Sequence, residues 1–434
     1  MKTGEATSAT HSDRSGAVTR ERTMARQASR YATDILCAIG VGAVAACAAV
    51  AGFYLLDFHH LSSVYDTWFD ADIQRIVGGY YNRGMGWHVR TNVHPLYAML
   101  VAAPCIVLRK IGLSAWAVSA VLVAFSAFAF AATFYCAARV LRLKRLDAIL
   151  ATFLMLSTGA SIFWLSVPET YSLGAMTMLL AMVWLGAPCG SHDWVTYPLQ
   201  SAITLSITVT NWMAGLLAGL LALGFRRAIV GGFIALVTVA ALSGVQKLIF
   251  PNAGTFLDLG YERRFVLQNE REPVGERLVS FVGQPLLAPQ PKLEQLHPNT
   301  VGIVMSSFVP AASHWTTRIG VLGWGILLPL GVLTAVGGGA PTKLVLFVGG
   351  VLLGQVVLHM LYGGPLFLYT LHFAPFVVLI AALACASRWR KAALVLIAVT
   401  ALASFAHNIV QFRAAAALLP MTTLDQRFVE DYIR

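Results

Sequence analysis

Residues 68–96 read WFDADIQRIVGGYYNRGMGWHVRTNVHPL, and this stretch decides how the rest of the chain is interpreted. It concentrates acids, bases, histidines and aromatic residues directly after the first long hydrophobic run, 32–56. Such a segment predicts an external loop at the membrane surface, where aromatic and charged side chains collect. Apolar residues at helical spacing predict a short surface helix over 66–81, which Gly84 and Gly86 end.

The composition of the whole chain predicts a membrane protein. Of the 434 residues, 57% are hydrophobic and 12% are charged, whereas soluble domains carry about 25% charged residues. Several apolar runs reach the ~20 residues with which a helix crosses a bilayer. We therefore predict an all-α polytopic membrane protein with about ten or eleven membrane helices.

The net charge of +11 does not predict a nucleic-acid partner. Many of the bases flank hydrophobic runs, where they orient helices and contact anionic lipid headgroups. The cysteines all lie in or beside apolar runs, so we predict neither a disulfide framework nor a zinc site. The six cysteines are Cys37, Cys47, Cys105, Cys136, Cys189 and Cys385.

The distribution of bases predicts the orientation of the chain. Residues 1–31 are polar and rich in arginine, and we expect a disordered cytoplasmic tail there. A transmembrane domain over 32–410 would include two periplasmic loops, 57–93 and 251–317. The remaining residues, 411–434, would form an external tail.

The apolar segment 94–108 determines on which side of the membrane the later loops lie, because it either crosses the membrane or does not. If it crossed the membrane, the short loop that follows the next helix would carry four bases to the outside, against the positive-inside rule. These bases are Arg139, Arg142, Lys144 and Arg145. We therefore interpret 94–108 as a re-entrant or interfacial helix, which places Glu169 on the same face as Asp70 and Asp72.

A polar interruption divides the later apolar run 198–225. This run has too few residues for two full crossings, and Asn211 and Trp212 lie near its middle. Two short helices that meet within the membrane would satisfy both facts. Polar residues at such depth pair with one another or line a cavity, whereas Tyr369 and His372 are interpreted as anchors at a helix mouth.

Three carboxylates are the candidate catalytic groups. Asp70 and Asp72 are either solvated loop acids that cap the surface helix or a general base beside a second acid. Two neighbouring acids could also hold a divalent cation, although no cofactor is required by the sequence. Glu169 either stabilises the start of a helix by its charge or contributes a second acid to the same site.

Histidine and arginine near the loop's end form a second candidate group. His94, Arg90 and His88 would present donors at the level of the lipid headgroups, which suits a phosphate or diphosphate. Nonspecific contact with lipid is the alternative. The sequence contains no Walker loop, G-x-G-x-x-G, H-E-x-x-H or G-x-S-x-G motif, which argues against a nucleotide-driven pump or an intramembrane metalloprotease.

The order of these features resembles the GT-C fold membrane glycosyltransferases, which include the protein O-mannosyltransferases and the aminoarabinose lipid A transferases. The resemblance rests on an acid in the first external loop, a surface helix, the His94-Pro95-Leu96 start of the next helix and Pro168-Glu169-Thr170-Tyr171. It is strongest over 57–187. The chain has one proline after His94, where some members have a lysine and two prolines.

The resemblance implies transfer of a sugar from a polyprenyl-phosphate donor to an acceptor hydroxyl on the periplasmic face of a bacterial inner membrane. The acceptor would be a glycan, a lipid or a protein, and the configuration would invert. Asp70 or Asp72 would be the general base, and Glu169 a second acid. Substrate contacts would come from Arg90, His94, Tyr171, His88 and Arg263.

Two other functions remain open from the sequence. An O-antigen polymerase or ligase would depend on bases in the long loop, including Arg263, Arg264, Arg271 and His314. A secondary transporter would place polar residues at mid-membrane in broken helices, for which Asn211, Gln355 and His359 are the candidates.

Overall fold

The structure is a computed structural model, and it describes residues 9–64, 66–187, 193–258, 260, 266, 274–297, 300–306, 314–362 and 364–422. Within these residues, seven helices are long and apolar enough to cross a membrane, and two shorter apolar helices accompany them. The chain is thus an α-helical integral membrane protein. The seven spans are Tyr31–Tyr54, Ala115–Val140, Phe225–Ile249, Trp315–Val336, Thr342–Leu361, Leu366–Ala386 and Arg390–Met421.

Sixteen α-helices, several short 3-10 or π-helical turns and one β-hairpin are found in the described part of the chain. In order they are α1 Ala9–Tyr54, α2 Phe58–Ser63, α3 Ile73–Gly78, α4 Ala103–Lys110, α5 Ala115–Val140, α6 Arg145–Leu156, α7 Gly159–Trp164, α8 Tyr171–Gly186, α9 Asp193–Ile207, α10 Trp212–Leu223, α11 Phe225–Ile249, α12 Val274–Leu286, β1 Pro291–His297, β2 Thr300–Met305, α13 Trp315–Val336, α14 Thr342–Leu361, α15 Thr370–Ala382 and α16 Arg390–Leu418.

Both ends of the chain differ from the sequence-based expectation. Helix α1 begins at Ala9, so much of the segment expected to be a disordered tail is helical. Arginine, alanine, glutamine and glutamate in this segment favour helix, and they extend the membrane helix without a proline to stop it. At the other end, α16 continues past 411 to Leu418, so the helix takes in the first residues of the expected tail.

The surface helix is much shorter than the predicted 66–81. Only Ile73–Gly78 is helical there. Asp66, Phe69 and Asp70 instead have positive φ angles of 54°, 53° and 66°, in the left-handed region that is incompatible with a right-handed helix. Asp72 ends this irregular turn and precedes α3.

The segment after the loop is too short to cross the membrane. A π-helical turn, Ala98–Ala102, leads into α4. Together they extend only about 20 Å at 1.5 Å per residue, against a hydrocarbon thickness of about 30 Å. Gln246 of α11 forms hydrogen bonds with the backbone at the start of this segment. Its side chain donates to the Pro95 carbonyl at 2.8 Å and accepts from the Met99 N–H at 3.0 Å. This arrangement favours the re-entrant interpretation.

Helices α9 and α10 are separated by a break at 208–211. The break leaves carbonyl groups at the end of α9 without partners in their own helix. The Ser206 carbonyl accepts from the Leu96 N–H at 2.8 Å, and the Val209 N–H donates to the Val93 carbonyl at 3.1 Å. The predicted interruption is therefore present, and backbone hydrogen bonds join it to the end of the loop 57–93.

The long loop 251–317 contains ordered elements that the sequence did not predict. Besides α12, it forms the antiparallel hairpin β1–β2, with Leu293 opposite Ile303. The hairpin is a small departure from an all-α fold. The Ile303 N–H donates to the Thr67 carbonyl at 2.9 Å, so the hairpin is hydrogen-bonded to the chain just before Asp70.

Ion pairs join helices at the end of the bundle that carries the predicted cytoplasmic bases. Asp34 of α1 pairs with Arg139 at 3.1 Å and with Arg145 at 2.8 Å. Asp147 of α6 pairs with Arg390 of α16 at 2.5 Å. These contacts bring α1, α5, α6 and α16 together at that end.

Candidate active site

Three aspartates lie on one irregular turn that is held under backbone strain. Left-handed φ angles at non-glycine residues cost about 1–3 kcal/mol each and persist only where the surroundings enforce them. Here Trp68 and Phe69 are both buried, and their rings contact Phe163 at centroid distances of 5.9 and 5.5 Å. Packing of the aromatic residues and the hydrogen bond to Ile303 thus fix the direction of the neighbouring carboxylates.

Asp72 is fixed between two arginines. Arg75 and Arg90 both form ion pairs with its carboxylate, one from each side. Burial by itself would raise the pKa of Asp72, but the charges of Arg90 and Arg75 outweigh it and lower the pKa to about 2. Asp72 is therefore ionised and engaged in ion pairs, which makes it a poor proton acceptor.

Arg75 also joins Asp66 to this group. Its Nη1 and Nη2 atoms donate to the two carboxylate oxygens of Asp66 at 2.9 and 3.1 Å. Such a bidentate pair fixes both side chains in one geometry. Asp66 and Asp72 are therefore both structural partners of arginine.

Asp70 differs from both neighbours. Its side chain is exposed to solvent, and its carboxylate has no hydrogen bond or ion pair with any residue that the structure describes. Although the residue reaches the surface, the protein around it removes much of the water from the carboxyl group, and this desolvation and then the negative charges of Asp66 and Asp72 raise its pKa to about 7. A carboxylate that is accessible, unpaired and half-protonated near neutral pH has the properties of a general base.

His94 is held as a neutral imidazole. Its Nδ1 donates to the Ile207 carbonyl at 2.8 Å, one of the carbonyls freed by the break after α9. Burial, assisted by the charge of Arg90, lowers the pKa of His94 to about 4. Its Nε2 atom therefore carries a lone pair, and this atom lies 3.5 Å from the Thr170 Oγ1 atom. In this state His94 accepts hydrogen bonds, and donation from Nε2 to a phosphate would require protonation.

Glu169 reaches the same region from the turn between α7 and α8. It is 3% exposed, and neither carboxylate oxygen forms a hydrogen bond of ordinary geometry with a described residue. Burial and then the negative charge of Asp72 raise its pKa to about 8, while the Thr170 N–H and the Tyr171 hydroxyl nearby oppose the shift only weakly. Glu169 is thus mostly protonated at pH 7, and the Thr170–His94 contact places it beside the loop.

The remaining predicted site residues differ in their placement. Tyr171 is buried, with its ring 5.2 Å from that of Trp164 and 5.5 Å from that of His372. His88 Nε2 contacts the Asn82 carbonyl at 3.0 Å, so this nitrogen is engaged within the loop. Arg263 lies outside the described residues.

A small cavity lies between the arginine-bound acid and His94. It has a volume of about 10 Å³, and its walls include Asp72, Arg75, Arg90, His94 and Thr170. This space accommodates about one water molecule. A sugar or phosphate can enter it only after the surrounding side chains move.

The sequence analysis missed two members of the charged group, Arg75 and Asp66, and it did not connect Asn211 with His372. Arg75 lies three residues after Asp72, the spacing at which helical side chains form ion pairs, and this signal could have identified it. Asp66 has no comparable local signal, because a left-handed turn brings it to Arg75. The sequence singled out Asn211 and His372, but nothing in it indicated that they meet beside Gly174 of α8.

Among the described residues, no group of three or more histidine, cysteine, aspartate or glutamate side chains is arranged to hold a metal ion. The Asp72 oxygens that might have bound a divalent cation are instead occupied by arginine. No family model, curated protein or solved structure matches the chain.

Proposed function

We propose that the chain is a membrane glycosyltransferase of the GT-C type, which moves a sugar from a polyprenyl-phosphate donor to an acceptor hydroxyl. The observation that supports this most directly is Asp70, an accessible carboxylate that has no partner among the described residues and a pKa of about 7. It lies beside acids that are bound to arginine, in a loop that follows the first membrane helix. A hydroxyl acceptor requires a base of this kind, because a neutral hydroxyl is a weak nucleophile.

In the proposed reaction, Asp70 removes the proton of the acceptor hydroxyl as its oxygen attacks the anomeric carbon of the sugar. The bond between that carbon and the phosphate oxygen breaks, and its electron pair leaves with polyprenyl phosphate. Attack from the face opposite the leaving group inverts the anomeric configuration. Asp70 is thereby protonated and returns the proton to solvent after the product leaves.

The leaving phosphate needs positive charge nearby, and Arg90 is the best placed donor. Its guanidinium lies at the cavity wall and is 27% exposed, so a phosphate could share it with Asp72. Neutral His94 would then accept a hydrogen bond from a sugar hydroxyl. Glu169, protonated at neutral pH, would donate a hydrogen bond to the substrate.

The proposed location is a bacterial inner membrane, with the N-terminus in the cytoplasm and the loop 57–93 in the periplasm. The supporting observation is the cluster of Arg139, Arg142, Lys144 and Arg145 at the opposite end of the helices from Asp70, where the positive-inside rule favours the cytoplasm. The donor would then lie in the outer leaflet, with its phosphate at the level of Arg90.

A transfer assay with purified protein in lipid nanodiscs tests this function. Radiolabelled undecaprenyl-phosphate glucose, galactose and mannose would serve as donors, with a periplasmic extract as the source of acceptor. We expect Asp70→Asn to lower transfer at least a hundredfold, whereas Asp258→Asn, an exposed acid elsewhere in the external loops, should retain full transfer. Full transfer by Asp70→Asn would refute the proposed role of Asp70.

A secondary transporter is the second candidate, and one observation favours it. The helical run is interrupted between α9 and α10. Buried Asn211 at this break has no side-chain hydrogen-bond partner among the described residues. Broken helices with polar residues at the break are typical of transporter binding sites. Uptake of sugar into proteoliposomes without release of polyprenyl phosphate would favour this candidate.

A further inference from the structure

A group of buried polar atoms beside the reaction site is not used by the proposed transfer of the proton and the phosphate. Asn211 is 0% exposed and His372 is 3% exposed. Neither side-chain atom of the Asn211 amide, nor the Nε2 atom of His372, has a hydrogen-bond partner in the described part of the chain. Leaving such atoms without a partner is unfavourable, so native proteins retain them where a ligand or water completes their hydrogen bonds.

These atoms come together around one glycine. A Cβ atom on Gly174 would lie 2.8 Å from Asn211 Nδ2, 3.0 Å from His372 Nε2 and 3.3 Å from Thr208 Oγ1. Three polar groups from the α9–α10 break and from α15 therefore converge on the first turns of α8. The missing side chain at Gly174 is what allows this approach, because every larger residue would contact all three.

This polar group is continuous with the reaction site. Thr208 Oγ1 lies 3.4 Å from His94 Nδ1, and His94 Nε2 lies 3.5 Å from Thr170 Oγ1. On the other side, the His372 ring lies 5.5 Å from the ring of Tyr171, which follows Glu169 by two residues. The polar group thus lies next to the residues proposed to contact the substrate.

We propose that Asn211, His372 and Thr208 form a subsite for the hydroxyl groups of the donor sugar. This inference rests on the proposed function and adds to it the residues that recognise the sugar. All three side chains are uncharged hydrogen-bonding groups, in contrast to the arginines that would take the phosphate. An amide, an imidazole and a hydroxyl supply both donors and acceptors, which matches a sugar hydroxyl that both donates and accepts.

The chemistry of these three side chains favours a sugar over a phosphate or a metal ion. A phosphate would be bound by cations, and a divalent metal by carboxylates, neither of which is present among these three residues. The aromatic ring of Tyr171 beside His372 also suits the apolar face of a sugar. Water that merely fills the space is the remaining alternative, and it predicts that sugar recognition does not depend on these residues.

Binding of four lipids that differ only in the sugar, or in its absence, tests the subsite. The full chain in nanodiscs would be titrated with undecaprenyl phosphate and with undecaprenyl-phosphate glucose, galactose and mannose. We expect the wild type to bind at least one sugar-bearing lipid at least tenfold more tightly than undecaprenyl phosphate. Asn211→Leu and Gly174→Ala should each remove this preference and leave binding of undecaprenyl phosphate unchanged.

Thr400→Val is the matched control, because it removes another buried hydroxyl without a side-chain partner, at a distant interface between α13 and α16. It should retain the full preference. Thermal unfolding would show whether each variant is folded, and Gly174→Ala, which adds one methyl group, provides the test if Asn211→Leu does not fold.

The outcomes separate the subsite from the function. Full preference for the sugar-bearing lipid in folded Gly174→Ala and Asn211→Leu would overturn the subsite and leave the transferase proposal intact. A wild type that binds undecaprenyl phosphate with no preference for any sugar would do the same. A wild type that binds none of the four lipids would overturn the proposed function, and the subsite with it.

Discussion

Asp70 and Asp72 are two residues apart, and their surroundings give them opposite protonation behaviour. Asp72 is bound by Arg75 and Arg90 and has a pKa of about 2, whereas Asp70 has no ion pair within the described part of the chain and has a pKa of about 7. The sequence left the choice between them open. Their environments favour Asp70 as the base and Asp72 as the residue that positions the arginines.

The rate of transfer should depend on pH in a bell-shaped manner. Asp70 must be deprotonated to accept a proton, so the rate should rise as the pH increases through about 7. Glu169 must be protonated to donate, so the rate should fall as the pH increases through about 8. In Glu169→Gln, whose amide donates at every pH, the decline above pH 8 should be absent. The measurement is single-turnover transfer from pH 5 to 9, and an unchanged decline in Glu169→Gln would contradict the assignment.

Substitution of the two aspartates should affect stability in opposite directions. Asp72→Asn leaves two arginines without their shared carboxylate and should lower the free energy of unfolding by about 3 kcal/mol. Because the folded-state pKa of Asp72 lies below its ordinary value of 3.8, the stability it contributes is present at neutral pH and is lost as the pH falls towards 2.

For Asp70 the sign is reversed. Its folded-state pKa of about 7 lies above the ordinary 3.8, so the folded state loses stability as the pH rises from about 4 through 7. Asp70→Asn removes this loss and should unfold at a higher temperature than the wild type at pH 8. Thermal unfolding of the purified variants at pH 5 and pH 8 measures both effects. A lower unfolding temperature for Asp70→Asn at pH 8 would contradict the environment described for Asp70.

Among the secondary-structure elements, irregular backbone segments position the residues of the site. The break between α9 and α10 frees the carbonyl that orients His94, and Gln246 of α11 forms a hydrogen bond with the start of the short segment that follows the loop. The sequence predicted the interruption, and the re-entrant placement of 94–108 stays a prediction, because hydrophobic length and the position of bases are local features. It could not predict the hydrogen bonds between them, which join residues more than 100 positions apart.

The hairpin β1–β2 should act as a positioning element for Asp70. Ile303→Pro removes the N–H that donates to the Thr67 carbonyl, and release of the strained turn should lower kcat about tenfold with a smaller change in KM. Val301→Pro is the matched control, because Val301 lies on the same strand, two residues away, and no hydrogen bond from its N–H to the Asp70 turn is found in the described residues. Equal loss of activity in both variants would show that the hairpin as a whole, and not this hydrogen bond, is required.

In the molecule as a whole, the number and direction of the membrane helices decide which residues lie on the same side of the membrane. The sequence predicted the membrane class and most apolar helices, since composition and length suffice for these. The hairpin, the left-handed turn at Asp66 and the partners of Asp72 depend on contacts between distant parts of the chain. They are not encoded by any local pattern, apart from the spacing of Asp72 and Arg75.

The side of the membrane on which two loops lie can be tested by labelling single cysteines. In a chain whose six cysteines are replaced by alanine, Lys144→Cys should react with a membrane-impermeant maleimide only after the cells are permeabilised. Asp258→Cys, in the long loop, should react in intact cells. Both side chains are exposed in the structure, so lack of reaction reports the membrane rather than burial. Reaction of Lys144→Cys in intact cells would reverse the proposed orientation.

Covalent sugar transfer with Asp70 as the base can be measured in proteoliposomes. Radiolabelled undecaprenyl-phosphate sugar would be incorporated into the bilayer, and three quantities followed together: labelled acceptor, released undecaprenyl phosphate and labelled sugar in the lumen. We expect equal amounts of labelled acceptor and released undecaprenyl phosphate, with at least a hundredfold loss of both in Asp70→Asn. Luminal sugar without released undecaprenyl phosphate, or full transfer by Asp70→Asn, would contradict it.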